Sequence, residues 1–198
     1  MIDQSQAVSL ITTTRQLSPQ LIEVSYMLKN TTANRILVFD HYVAFGLGSK
    51  AIRDEFGVNI FLDQSDSLRL VRGVFGTPPF MSVVARPPIV VSPVEPGATL
   101  SGSVRVAQPA SESNVFFPAA QCDPARAVIT TRARLQIGWV EFRPTMTFGE
   151  LVFDEKKFVN IGSSWGQPVQ RVAEADISGV AFRVCRYPGQ FDRPALAQ

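Results

Sequence analysis

The chain reads as all-β, an antiparallel β-sandwich with irregular Pro-rich loops, on three observations. Short stretches such as 21–29 and 99–107 alternate apolar and polar residues with a period of two, the mark of strands half-buried in a sheet. Fourteen prolines and thirteen glycines cut these stretches into short pieces. Helical periodicity is almost absent, so no helices alternate with the strands as a parallel α/β fold requires.

Taken in order, Ala7 to Leu17 is β-branched and polar enough for a first strand at a sheet edge, ended by Ser18-Pro19 because proline cannot donate to a ladder. In the next run Ile22, Val24, Tyr26 and Leu28 fall on one side and Glu23, Ser25 and Lys29 on the other. Asn30-Thr31-Thr32-Ala33-Asn34 then offers turn residues before a second apolar run to Phe45, which predicts an antiparallel pair over 21–45. Arg53-Asp54-Glu55 suits a helical turn or two. Val58, Ile60 and Leu62, then Leu68 and Leu70 beyond an Asp-Gln-Ser-Asp turn, predict a hairpin.

Six prolines between 78 and 96 leave room only for short strands at 82–85 and 89–91. Glu95-Pro96-Gly97 has the residue order of a type II turn, and a strand follows over 99–107. Residues 108–125 are long and irregular, a length often functional or mobile. A strand is expected over 127–142, others near 151–153, 158–161 and 180–184, and a short helix near 169–175. These elements favour a sandwich of immunoglobulin-like type. The break at Arg143-Pro144 leaves too little chain for a second sandwich, so 1–198 is one elaborated domain with 145–198 as an accessory segment.

Nineteen basic and seventeen acidic residues give a net charge of +2, and the arginines are scattered. A nucleic-acid partner is therefore not expected. No apolar run reaches the ~20 residues of a membrane-spanning helix. MIDQSQAVSL lacks the basic start and apolar stretch of a signal peptide, which places a complete chain in the cytoplasm. With a signal removed beforehand, the same start would suit a periplasmic or extracellular protein. Cys122 and Cys185 are compatible with two free thiols or with one disulfide.

Several catalytic patterns fail on context. Gly162-Ser163-Ser164-Trp165-Gly166 fits GxSxG, but that elbow needs a helix and a later histidine, and the single His41 lies upstream. Gly46 to Ala51 fits a loose dinucleotide fingerprint, but Gly57 ends the run before a crossover helix could form. One histidine and two distant cysteines cannot supply a zinc site, and Asp63 with Asp66 lacks a calcium-loop ladder. His41 is expected to be a packed or half-exposed histidine. No cofactor is expected. Asn30-Thr31-Thr32 is formally a glycosylation sequon.

Apolar residues stand where loops are expected: Phe80 and Met81 after a double proline, and Val115, Phe116 and Phe117 within 108–125. They either plug the open ends of the sandwich or meet a partner. Ala7-Val8-Ser9-Leu10 with Thr14-Arg15, Leu28-Lys29-Asn30, and Arg86-Pro87-Pro88-Ile89 through Glu95-Pro96-Gly97 to Val104-Arg105-Val106 together resemble the N-terminal immunoglobulin-like domain of periplasmic pilus chaperones. The resemblance covers about a third of the chain. The family's acidic stretch is only loosely echoed by Ser111-Glu112-Ser113, and no full second domain fits after Arg143. It implies a chaperone-like role with Arg15 as anchor for a partner's terminal carboxylate.

The expected function is a non-enzymatic binding or assembly module that contacts another protein through a sheet edge and apolar loops. The alternatives are a carbohydrate- or ligand-binding sandwich, with Trp139, Trp165 or Tyr187 as stacking platforms, and an enzyme built on dispersed carboxylates.

Overall fold

The computed structural model describes residues 7–45, 51–75, 88–115, 121–153, 155–161 and 170–186. Among these the chain is all-β. The first half holds β1 (Val8–Ser18), β2 (Leu21–Asn30), β3 (Ile36–Val38), β4 (Tyr42–Phe45), β5 (Ala51–Asp54), β6 (Asn59–Leu62), β7 (Leu68–Arg72) and β8 (Val90–Val94). The second half holds β9 (Thr99–Ala107), β10 (Ala110–Ser111), β11 (Val128–Thr130), β12 (Ala133–Glu141), β13 (Phe148–Phe153), β14 (Lys156–Ile161), β15 (Arg171–Ile177) and β16 (Phe182–Cys185). A 3-10 turn occupies Pro124–Arg126.

β1, β2 and β9 form one antiparallel sheet with β2 in the middle. A larger sheet runs β13-β14-β8-β3-β12-β7-β6, with β15 on β12 as well. The two meet face to face. Ile22, Val24, Tyr26, Leu28, Val104 and Val106 from the first pack against Leu68, Leu70, Leu135 and Ile137 from the second, joined by Phe182 and Val184. Near-complete burial of these side chains supplies most of the driving force, roughly 1.5–3 kcal/mol for each large one. A small sheet of β10, β16 and β11 and the pair β4–β5 complete the fold.

The alternation in 21–29 is observed as expected, with every even residue from Ile22 to Leu28 buried. β1 lies at the edge, β6 and β7 form the hairpin, and Gly97 takes φ 75° in the Glu95-Pro96-Gly97 turn. The antiparallel pair over 21–45 does not form. β2 pairs with β1 and β9, whereas β3 crosses to the larger sheet between β8 and β12. Ile36, Leu37 and Val38 are all buried because both faces of this sheet are covered. Ile36 and Val38 enter the main core, while Leu37 joins Phe39, Val91, Val140, Met146 and Ile161 on the far side. A strand covered on both faces shows a continuous apolar run and no alternation.

Other expectations are corrected. Arg53 and Asp54 belong to strand β5, not to a helical turn, and residues 171–177 form strand β15, not a helix. Ala173, Glu174 and Ala175 carry helix propensity, but seven register pairs with β12 override it. The single strand over 127–142 is two strands, paired to different sheets. Within 108–125, β10 and a bridge from Ser113 to Ile60 order part of the stretch. The sheets are also not purely antiparallel: β7 runs parallel to β12 and β10 to β16.

Cys122 and Cys185 form a disulfide, with Cα atoms 5.6 Å apart. The sequon is spent on structure. Asn30 is fully buried, its Nδ2 donates to the carbonyls of Asn34 and Val94, and its Oδ1 accepts from the N–H and hydroxyl of Thr32. No enzyme reaches that amide in the folded chain.

Candidate functional site

The strongest polar centre is Arg72 at the end of β7, only 3% exposed. Its Nε donates to the Gly57 carbonyl (3.0 Å). One terminal nitrogen donates to Tyr26 Oη (3.2 Å) and the Asp40 carbonyl (2.5 Å), the other to the carbonyls of Glu55 (2.7 Å) and Ser103 (3.1 Å). All five donors are used, and every acceptor is uncharged. The guanidinium thus ties four other segments to β7. Tyr26 reaches it by crossing Gly102 on β9, where a Cβ would lie 2.4 Å from the phenol oxygen. Burial raises the Tyr26 pKa, with the Arg72 charge opposing.

Beside this centre, Asp40 and His41 line a cavity of about 680 Å³ with Arg53, Glu55 and Phe56. Its floor is the outer face of the first sheet. There Thr13, Ser25 and Ser103 sit opposite one another across three strands, next to the row Ile11, Met27 and Ser101. Ile11 and Met27 are about half exposed.

His41, Asp40 and Ser92 have the composition of a hydrolase relay but not its geometry. Arg53 Nε donates to His41 Nδ1 (3.4 Å), so the proton of the neutral ring sits on Nε2. Ser92 Oγ (3.2 Å) and Asp40 Oδ1 (3.5 Å) both approach that same Nε2. A relay needs the serine on one ring nitrogen and the carboxylate on the other. Here the ring already holds the proton it would have to take from Ser92. Among the described residues, no three His, Cys, Asp or Glu side chains are grouped to hold a metal.

Burial is the main cause that lowers the His41 pKa. Asp40 opposes it, the Arg53 and Arg72 charges add to it, and Glu55 opposes. A His with a depressed folded pKa leaves the unfolded chain binding more protons below about 6.5, so stability falls as pH drops through that value. The stability advantage of the wild type over His41→Gln should therefore shrink between about pH 7 and 5. Denaturant titrations at both pH values measure it; parallel pH dependence in the two proteins would rule this out.

The same cluster anchors the β13–β14 hairpin. Phe158 on β14 stands edge-on to His41 at 5.1 Å, under the Arg53 guanidinium at 4.6 Å, and against Phe153 at 5.8 Å. Val159 and Asn160 of β14 pair with β8, and Ile161 is buried in the second cluster with its N–H on the Ile89 carbonyl, so aromatic and cation–π contacts add to the hold on the hairpin toward its turn.

The sheet edges differ in cover. Thr12 and Thr14 on β1 donate through their hydroxyls to the carbonyls of Asp176 and Ser178 at β15 (both 2.7 Å), which closes those two edges on each other. On β9, the Arg105 N–H donates to the Phe56 carbonyl and Arg72 takes the Ser103 carbonyl. β6 exchanges two backbone bonds with Ser113, and its Leu62 N–H donates to Glu112. β13 has no such cover among the described residues. Because the Ile161 N–H donates to the Ile89 carbonyl, odd residues of β14 face β8. Their partners Phe148, Glu150 and Val152 direct their own N–H and C=O groups away from the sheet. Phe148 is 41% and Val152 60% exposed on this edge.

Of the residues singled out in the sequence, Arg15 is exposed on the outer face of the first sheet, opposite Glu23, whose carboxylate is held by Arg105 at 2.9 Å. Val115 is half-buried against the cluster of Phe61, Val71 and Phe75, and its N–H donates to Asn59 Oδ1. Phe80, Met81, Phe116 and Phe117 lie outside the described residues, as do Trp165, Tyr187, the GxSxG stretch and residues 46–50 of the glycine fingerprint. Trp139 is no stacking platform: it is 3% exposed in the main core, beneath Arg171. No helix among the described residues is long and apolar enough to cross a membrane. No protein-family model, curated protein or solved structure matches the chain.

Proposed function

We propose that the protein is a non-enzymatic binding or assembly module that takes an extended segment of another protein onto the open edge of β13. The observation that carries this reading is that edge: three residues with backbone donors and acceptors turned outward, flanked by two exposed apolar side chains. Unpaired edges of this kind are templates for a further strand, and natural proteins normally cover or blunt them. Among the described residues β1, β6 and β9 are covered and β13 is not. The hairpin rests on the His41–Arg53–Phe158 cluster, so the polar centre works as a support for the edge. That role asks no proton transfer of His41.

Glu150→Pro tests the reading. The Glu150 N–H faces away from β14, so proline there removes no ladder bond of the hairpin but blocks an incoming strand. The variant should keep the wild-type melting temperature within a few degrees and lose partners captured from native extract. Leu151→Pro, whose N–H faces β14, should instead destabilise the hairpin. Undiminished capture by folded Glu150→Pro would end the proposal.

A further inference from the structure

We infer that the β13 edge selects a partner strand with an apolar–basic–apolar pattern at alternate positions and is built against pairing with its own copy; this rests on the strand-addition reading above. In an antiparallel neighbour, outward-facing residues pair with outward-facing residues. Two copies related by a two-fold axis, in the registers that engage at least two of these residues, set Phe148 against Val152, Glu150 against Val152, or Phe148 against Glu150. Only the first register matches the two exposed apolar side chains with each other. That register places Glu150 directly opposite Glu150 of the second copy. Like charges in that position are destabilising, and a charge at the centre of an exposed edge is a common guard against self-association.

A heterologous strand meets the same edge without conflict. Apolar residues opposite Phe148 and Val152 cover the exposed surface, and a lysine or arginine opposite Glu150 makes a favourable cross-strand pair. Lys157 already touches Glu150 Oε1 at 2.8 Å, but both side chains are more than half exposed, so that pair is weak. The second carboxylate oxygen is left to accept from a guanidinium or ammonium group. On covering by a strand the site also loses water, which strengthens the charge contact.

The test uses two short peptides that alternate threonine with Val–Lys–Phe or with Val–Glu–Phe, titrated into the intact protein while the β13 amide signals are followed by NMR. The wild type should bind the lysine peptide about three- to tenfold more tightly, a preference that shrinks at high salt. Glu150→Lys should invert the preference, and Glu150→Pro should bind neither peptide. Equal binding of both peptides to the wild type and to Glu150→Lys would overturn the charge selection while leaving strand addition standing. No shift at β13 with either peptide would overturn the partner chemistry, and proline-insensitive capture would overturn the function itself. Sedimentation supplies the other arm: a wild type that dimerises on concentration, more tightly as Glu150→Gln, would show that the occupant is a second copy.

Discussion

Arg72→Met is expected to cost at least about 4 kcal/mol, a large part of the roughly 5–15 kcal/mol that holds an ordinary domain together. Methionine matches the aliphatic stem but brings no donor. The Tyr26 hydroxyl and the Asp40 carbonyl lose a fully buried partner, and the carbonyls of Gly57, Glu55 and Ser103 lose a partly buried one. Each orphaned buried group costs about 1–3 kcal/mol. Removing a desolvated charge recovers some of this. The recovery is incomplete because four of the five acceptors are backbone and remain whatever the side chain. Arg72→Lys keeps the charge but offers three donors from one atom in place of a planar fork of five, so it should fall between the two. Urea midpoints of the three proteins give the answer. A methionine variant within about 1 kcal/mol of wild type would mean that water replaces the guanidinium freely.

The same residue shows where sequence reading stops. Arg72 closes the hairpin strand Leu68–Arg72, and nothing in its neighbours distinguishes it from the half-exposed Arg69 three residues before. Its acceptors at 26, 40, 55, 57 and 103 come from elements whose adjacency only the folded chain creates. The strands themselves were legible where one face is wet, as in β2 and β9. The partner was illegible where both faces are dry, as in β3, and the element type where local propensity runs against the fold, as in β15. Parallel pairing of β7 with β12 leaves no local mark, since the turn chemistry that announces a hairpin is absent. The edge status of β13 is likewise invisible in its pattern: Phe148–Phe153 and Lys156–Ile161 read alike, yet among the described residues only the first lacks an outer neighbour. Of the apolar loop residues, Val115 alone is placed, and it packs on its own domain.

Reduction of the Cys122–Cys185 disulfide, or its replacement by two alanines, is expected to cost about 4 kcal/mol, the chain-entropy value for a loop of 63 residues. The bond ties the end of β16 to the segment before the 3-10 turn, and β16 is the middle strand of the small sheet. That sheet is thin: two register pairs join β10 to β16, and three join β11 to it. Yet Phe182 and Val184 on β16 are fully buried in the main core. Loosening the strand therefore opens a core that the two large sheets share, so the loss should appear as a lower global denaturation midpoint. A merely local effect has a different signature, with faster amide exchange confined to β10, β11 and β16 and an unchanged midpoint. That second pattern would refute the prediction and show that the sheets hold the core without β16. If the global effect is observed, the protein keeps its full stability only where thiols stay oxidised.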